Sequence, residues 1–184
     1  MAKLVSKTYG EALYDVAVEA GEDRAVQLME EIRCVIEVLA QNPEFDGLMR
    51  HPGIPKQEKI QVVENVFTGR VSDELKNFLE VVTAKERYSD LNDIFEYYIA
   101  RVKEEQKIGV AFVKTAVELT AKQQTAVEAK ILETSGYRKM EMNYSVDPSI
   151  IGGMVVRIND RVVDSSIRTK LDGLTKQLLQ IQLG

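Results

Sequence analysis

A change of hydrophobic period near Lys107 constrains this chain more than any other feature of its 184 residues. Ahead of it, apolar residues recur every three or four positions, the spacing that gathers them on one side of an α-helix. Tyr9, Ala12, Leu13, Val16, Ala17 and Ala20 form a first stripe. Gly21 interrupts it, and Glu22-Asp23 supply acids suited to the positive end of the next helix. Leu28, Ile32, Val35, Ile36 and Leu39 make a second stripe, which Asn42-Pro43 should end. A short helical piece over Phe45–Met49 runs into His51-Pro-Gly. Pro55 suits a first helical position, where its missing N–H costs nothing. Ile60, Val63 and Phe67 continue that helix to Gly69. Ser72-Asp-Glu reads as a capped start ahead of Leu75, Phe78, Leu79 and Val82. Leu91, Ile94, Phe95, Tyr98, Ile99 and Val102 form the last stripe. Short links between five or six such helices predict a compact bundle.

Beyond Lys107 the reading changes. The segment Val110-Ala-Phe-Val-Lys-Thr-Ala-Val is rich in β-formers and too short for a globular helix. Thr120-Ala-Lys-Gln123 has the form of a capping box, so a helix should run from there to Ser135-Gly136. Met140, Met142, Tyr144 and Val146 alternate with polar residues, the period of a half-buried strand. Met154, Val156 and Ile158 do the same, and Asn159-Asp160 is placed to turn the chain into Arg161-Val-Val-Asp164. Ile167, Leu171, Leu174, Leu178 and Ile181 give a final helix. The expected architecture is therefore mostly α: a helical bundle over 1–105, then a small α+β domain over 106–184.

Charge removes several function classes. The net charge is −5, with 14 Lys/Arg against 21 Asp/Glu over residues 1–107 and 10 against 8 over 108–184. Neither part concentrates the basic stripe that counterion release from nucleic acid rewards, so no nucleic-acid partner is expected. No apolar run approaches the roughly 20 residues of a membrane-spanning helix. The opening residues lack the long apolar segment of a secretory signal, so none is expected. Cys34 is the only cysteine, which leaves no intramolecular disulfide and no zinc ligand set.

Three stretches resemble one family, that of the delta subunit of F-type ATP synthases and its relative, the oligomycin-sensitivity-conferring protein. Tyr9-Gly-Glu-Ala-Leu-Tyr-Asp-Val-Ala17 is similar to the family's opening helix. Asn77-Phe-Leu-Glu-Val-Val with Arg87 is similar to its fifth. The most specific match is Val146-Asp-Pro-Ser-Ile-Ile-Gly-Gly-Met-Val-Val-Arg-Ile-Asn-Asp-Arg-Val-Val-Asp-Ser-Ser-Ile-Arg168. It resembles the signature in which a double glycine precedes a hairpin and an Asp-x-Ser-hydrophobic-Arg segment opens the last helix. Asn159 stands where a glycine is common, and Ser165-Ser166 where Gly-Ser is frequent; both touch turn geometry.

The resemblance implies a six-helix N-terminal bundle and a non-catalytic stator subunit with no cofactor, metal or small-molecule substrate. The bundle would bind the N-terminal helix of an alpha subunit through its first and fifth helices, here Tyr9, Ala12, Leu13, Phe78 and Val82. The second domain would bind the C-terminal ends of the b subunits, here through Arg168, Leu171, Leu178 and Ile181. The chain would then lie at the cytoplasmic face of the cell membrane, attached only through the complex. A helical adaptor with unrelated partners is the alternative.

Each motif also has a plainer reading. Tyr9, Ala12, Leu13, Phe78 and Val82 are either core or the lining of a groove for a partner helix. Gly10 costs helix stability, by roughly 1 kcal/mol against alanine, and so marks close helix approach. Gly152-Gly153 lacks the Lys-Ser/Thr of a phosphate loop and reads as a backbone device feeding a strand. Asp164 is expected to cap the last helix and Asp160 to sit in a turn, neither forming an active site. His51 is expected in a loop and Cys34 as a partly buried filler. The terminal stripe either covers the sheet or extends past it to meet a stalk helix, with Arg168, Lys170 and Lys176 as positive partners.

Overall fold

A computed structural model describes residues 2–182, with side chains over 4–174 apart from Glu22. The chain divides into two compact units, Met1–Val102 and Lys103–Gly184.

The first unit is wholly helical: α1 (Ala2–Glu19), α2 (Glu22–Gln41), α3 (Pro43–Arg50), α4 (Lys56–Phe67), α5 (Asp73–Ala84) and all but the last turn of α6 (Leu91–Glu105), which is entered through a single 3-10 turn, Tyr88–Asp90. Local chemistry sets the breaks. Pro43 occupies the first turn of α3, where no N–H is needed. Ser72 caps α5, its hydroxyl accepting from the Leu75 amide at 3.5 Å, with Asp73 and Glu74 in the first turn. Pro55 is the residue before α4 rather than its first helical residue. The core is the set of inward stripes, with Leu28, Ile32, Leu75, Val82, Phe95 and Tyr98 almost wholly buried. The Tyr98 hydroxyl donates to the Ala25 carbonyl at 3.1 Å, so the ring is buried without orphaning its polar end.

The second unit comprises β1 (Ile108–Thr115), α7 (Ala121–Ser135), β2 (Lys139–Val146), a 3-10 turn at Pro148–Ile150, β3 (Met154–Ile158), β4 (Arg161–Asp164) and α8 (Ile167–Gln182). The sheet order is β2-β1-β3-β4. β1 and β2 are parallel, which the crossover α7 permits, while β3 pairs antiparallel with both β1 and β4. The capping box that opens α7 is formed: Gln123 N donates to Thr120 Oγ1, and the Gln123 side chain accepts from the Thr120 amide. Gly136 ends that helix in the left-handed conformation, φ 73°. The core here is small, with Ala111, Val113, Ile131 and Met140 buried.

One expectation of burial needs correction. Cys34 is exposed rather than a partly buried filler; its neighbour Val35 points inward, and one residue along a helix turns the side chain by about 100°. In the described part of the terminal stripe Ile167, Leu171 and Leu174 are only about half-buried, at 43%, 48% and 55% exposure, and the side chains from residue 175 on lie outside the described residues.

Candidate partner-binding surfaces

On α1 the buried positions are Ser6, Gly10, Leu13 and Ala17, a narrow arc at helical spacing. The apolar stripe is wider than that arc. Tyr9 is half-buried, Ala12 is exposed, and Val16 is 49% exposed. At about 100° per residue these three lie on one flank of the buried arc. That flank faces α5. Tyr9 and Phe78 meet edge to face with centroids 6.4 Å apart, and Phe78 reaches inward to Phe95 at 6.5 Å. On α5, Val81 lies one turn from Phe78 and is 50% exposed. The result is a seam between α1 and α5 with an aromatic floor and small apolar rims at Ala12, Val16 and Val81.

The opposite flank of α1 is closed by polar contacts to α6. The Tyr97 hydroxyl donates to Glu11 at 2.5 Å, and Arg101 Nε lies 3.4 Å from the other carboxylate oxygen. The hydrogen bond from Tyr97, aided by Arg101 and opposed by burial, holds the Glu11 carboxyl below its usual range. Arg101 also stacks over the Tyr14 ring, 5.2 Å from its centroid. Gly10 lies under Tyr97, whose ring a Cβ at this position would strike. The glycine therefore marks close approach of α1 to α6.

The five bundle residues singled out from sequence thus fall in two places. Tyr9 and Phe78 touch in the seam and Ala12 lies on its rim. Leu13, 2% exposed, and Val82, 0% exposed, are inside the core. Val16 and Val81 belong to the rim and were not singled out; their spacing one turn from Ala12–Leu13 and from Phe78 was the available signal.

In the second unit, Arg168 and Leu171 are exposed on α8. The side chains of Leu178 and Ile181 lie outside the described residues. The root of α8 is polar and well bonded. Asp164 Oδ1 accepts from the Ser166 amide at 2.8 Å and Oδ2 from the Thr169 hydroxyl at 2.7 Å. Those bonds, that from Thr169 foremost, lower the pKa of the Asp164 carboxyl. The cap of α8 is Ser166, whose hydroxyl accepts from the Thr169 amide at 3.2 Å, and Asp164 braces it rather than capping the helix itself. Asp160 is a turn residue. His51 lies just past α3, its Nδ1 accepting from the Gly53 amide at 3.1 Å. Among the described residues no cluster of His, Cys, Asp and Glu is arranged to hold a metal ion, and no helix is long and apolar enough to cross a membrane.

The chain is thus a helical bundle followed by a small α+β unit, each with apolar side chains exposed on a helix. The chain belongs to the ATP synthase delta (OSCP) subunit family, whose sequence model matches residues 5–178. It is 48% identical over 185 aligned residues to ATP synthase subunit delta of Lachnoclostridium phytofermentans, covering all of both chains. It is 34% identical to the subunit of the same name from Alkaliphilus oremlandii, over 98% of this chain and 99% of that one. A chain of the Toxoplasma gondii mitochondrial ATP synthase hexamer superposes with a TM-score of 0.67 at 21% identity, covering 95% of this chain and 97% of that chain. That likeness supports the fold.

Proposed function

We propose that this chain is a non-catalytic stator link of an F-type ATP synthase. The helical unit holds the N-terminal helix of an alpha subunit, and the second unit holds the C-terminal ends of the b subunits. It works at the cytoplasmic face of the cell membrane and reaches the membrane only through the complex. The observation that carries this reading is the seam between α1 and α5. The bundle buries Leu13, Ala17, Leu79 and Val82, yet leaves Ala12 exposed and Val16 and Val81 half-exposed beside the Tyr9–Phe78 contact. A helix presenting apolar residues at i, i+3, i+4 and i+7 suits such a seam. No bond is made or broken in this role; the chain resists twisting while a rotor turns.

Calorimetric titration of the full chain with the N-terminal peptide of the same organism's alpha subunit tests the reading. Saturable one-to-one binding is expected, and Ala12→Asp should abolish it by placing a charge on the rim. Absence of binding by folded wild-type chain would refute the alpha-subunit contact. The b-subunit contact is tested separately below.

A further inference from the structure

Along the described part of α8, from Ile167 to Leu174, every residue is exposed, with Ile167, Leu171 and Leu174 at 43%, 48% and 55%. A set of hydrogen bonds fixes its root. The Ser165 amide and hydroxyl both donate to the Met154 carbonyl, at 3.0 and 2.9 Å. The Ile167 amide donates to the Gly152 carbonyl at 2.9 Å. Thr169 donates its hydroxyl to Asp164 and its amide, at 3.2 Å, to the Ser166 hydroxyl. Ser166, at the centre of these bonds, is 2% exposed.

The double glycine makes that closeness possible. Gly153 has φ 77°, and a Cβ there would lie 2.5 Å from the Ser165 carbonyl oxygen and 3.2 Å from Ser166 Cα. Backbone atoms cannot swing aside as a side-chain tip can. At Gly152 a Cβ would come within 2.7 Å of Ile167 Cδ1. The turn before β3 and the junction between β4 and α8 therefore interlock through main chain.

We propose that this clasp is a positioning device: Gly152, Gly153, Ser165 and Thr169 aim α8 as an arm whose exposed apolar face meets an amphipathic helix. Arg168 and Lys170, both exposed near that face, select a partner helix with acidic flanks. A helix free to pivot about its root would sample many directions and lose that freedom on docking. The clasp removes part of that cost beforehand. The inference rests on the b-subunit contact proposed above and assigns the signature glycines a role in binding.

The test is titration of the full chain with the soluble C-terminal segment of the b subunit, comparing Gly153→Ala with Gly136→Ala. Both glycines have positive φ, 77° and 73°, but a Cβ at Gly136 meets nothing within 4 Å. Both variants share the backbone strain, and only the first must displace the clasp. Gly153→Ala should weaken binding about tenfold or more, and Gly136→Ala less than about twofold. Equal affinities in the two variants overturn the proposal. No binding by wild type instead overturns the b-subunit reading on which it stands. If Gly153→Ala prevents folding, the double variant Ser165→Ala/Thr169→Val takes its place, keeping the backbone and removing two side-chain anchors. It should weaken binding about threefold or more with a near-native melt; unchanged binding overturns the clasp.

Discussion

Replacing Arg24 with methionine should destabilise the helical unit by about 2 kcal/mol near neutral pH. Arg24 joins α2 to the start of α5. Its guanidinium forms a two-pronged contact with Glu74, at 3.3 and 3.0 Å, and a bond to Glu31 at 3.0 Å. Glu31 accepts in turn from the Ser72 amide at 2.9 Å. Fully exposed pairs contribute only about 0.2–1 kcal/mol, and hydrogen bonds to charged groups about 1.5–3 kcal/mol. The three side chains are 19%, 28% and 32% exposed, between those limits. Methionine keeps the packing of the aliphatic stem, so the loss reports the charge contacts. Burial alone would raise the Glu31 carboxyl, but the Ser72 and Arg24 bonds outweigh it and its pKa falls. The Arg24 bond lowers Glu74 directly. Depressed folded values mean that this stability is complete above the unfolded carboxylate pKa of about 4.3. It is lost as pH drops through the folded values. Urea melts at pH 7 and pH 3.5 should therefore show the wild-type advantage shrinking at the lower pH. A difference independent of pH, or a coupling below about 0.3 kcal/mol in a cycle with Glu74→Gln, would refute the reasoning.

Further outcomes follow from single positions. Gly47→Ala lies in α3 with nothing within 4 Å of the new Cβ, so thermal melts should show a gain of roughly 0.5–1 kcal/mol. Gly10→Ala carries the same helix benefit but must push the Tyr97 ring off Glu11. It should melt lower, by about 1 kcal/mol net. Val82→Ala should cost about 2 kcal/mol of stability, read by urea titration, with alpha-peptide affinity little changed. Val81→Asp, one residue along, should leave the melt within about 0.5 kcal/mol and abolish peptide binding. Cys34, exposed, should react fully with an aromatic disulfide reagent in native buffer, and protection until denaturant is added would contradict its placement.

How much of this was legible in the sequence depended on distance along the chain. Helix and strand identities follow from periodicity and caps within a few residues, and Ser72, Thr120 and Gly136 act where their chemistry points. The division of the first stripe into core and rim did not follow. Periodicity locates the centre of an apolar face, but whether Ala12 or Leu13 is covered depends on α5, some sixty residues on. The same holds for Gly10, whose role is set by Tyr97, and for the Arg24 network, which spans fifty residues. The terminal helix shows a different limit. Its stripe demands a complementary surface, but no pattern within one sequence states that the surface lies in the same chain.

That limit bears on how the two units serve one role. An apolar surface left in water is a liability for a soluble monomer unless something covers it. Apolar side chains stand partly in water on both units, among them Val16 and Val81 in one and Ile167, Leu171 and Leu174 in the other. Each patch is small, and on the proposed reading neither contact by itself needs great affinity. Joined on one chain, the second contact forms at the effective concentration set by the first, which for short connections is about millimolar. A link assembled this way resists torque through the joint persistence of two modest grips. On that reading the energetic demand falls on geometry: the α1–α5 seam would have to stay open beside a closed core, and α8 to leave its root in a fixed direction. On the proposed reading, the Tyr9–Phe78 contact and the main-chain interlock at Gly153 would meet those two demands.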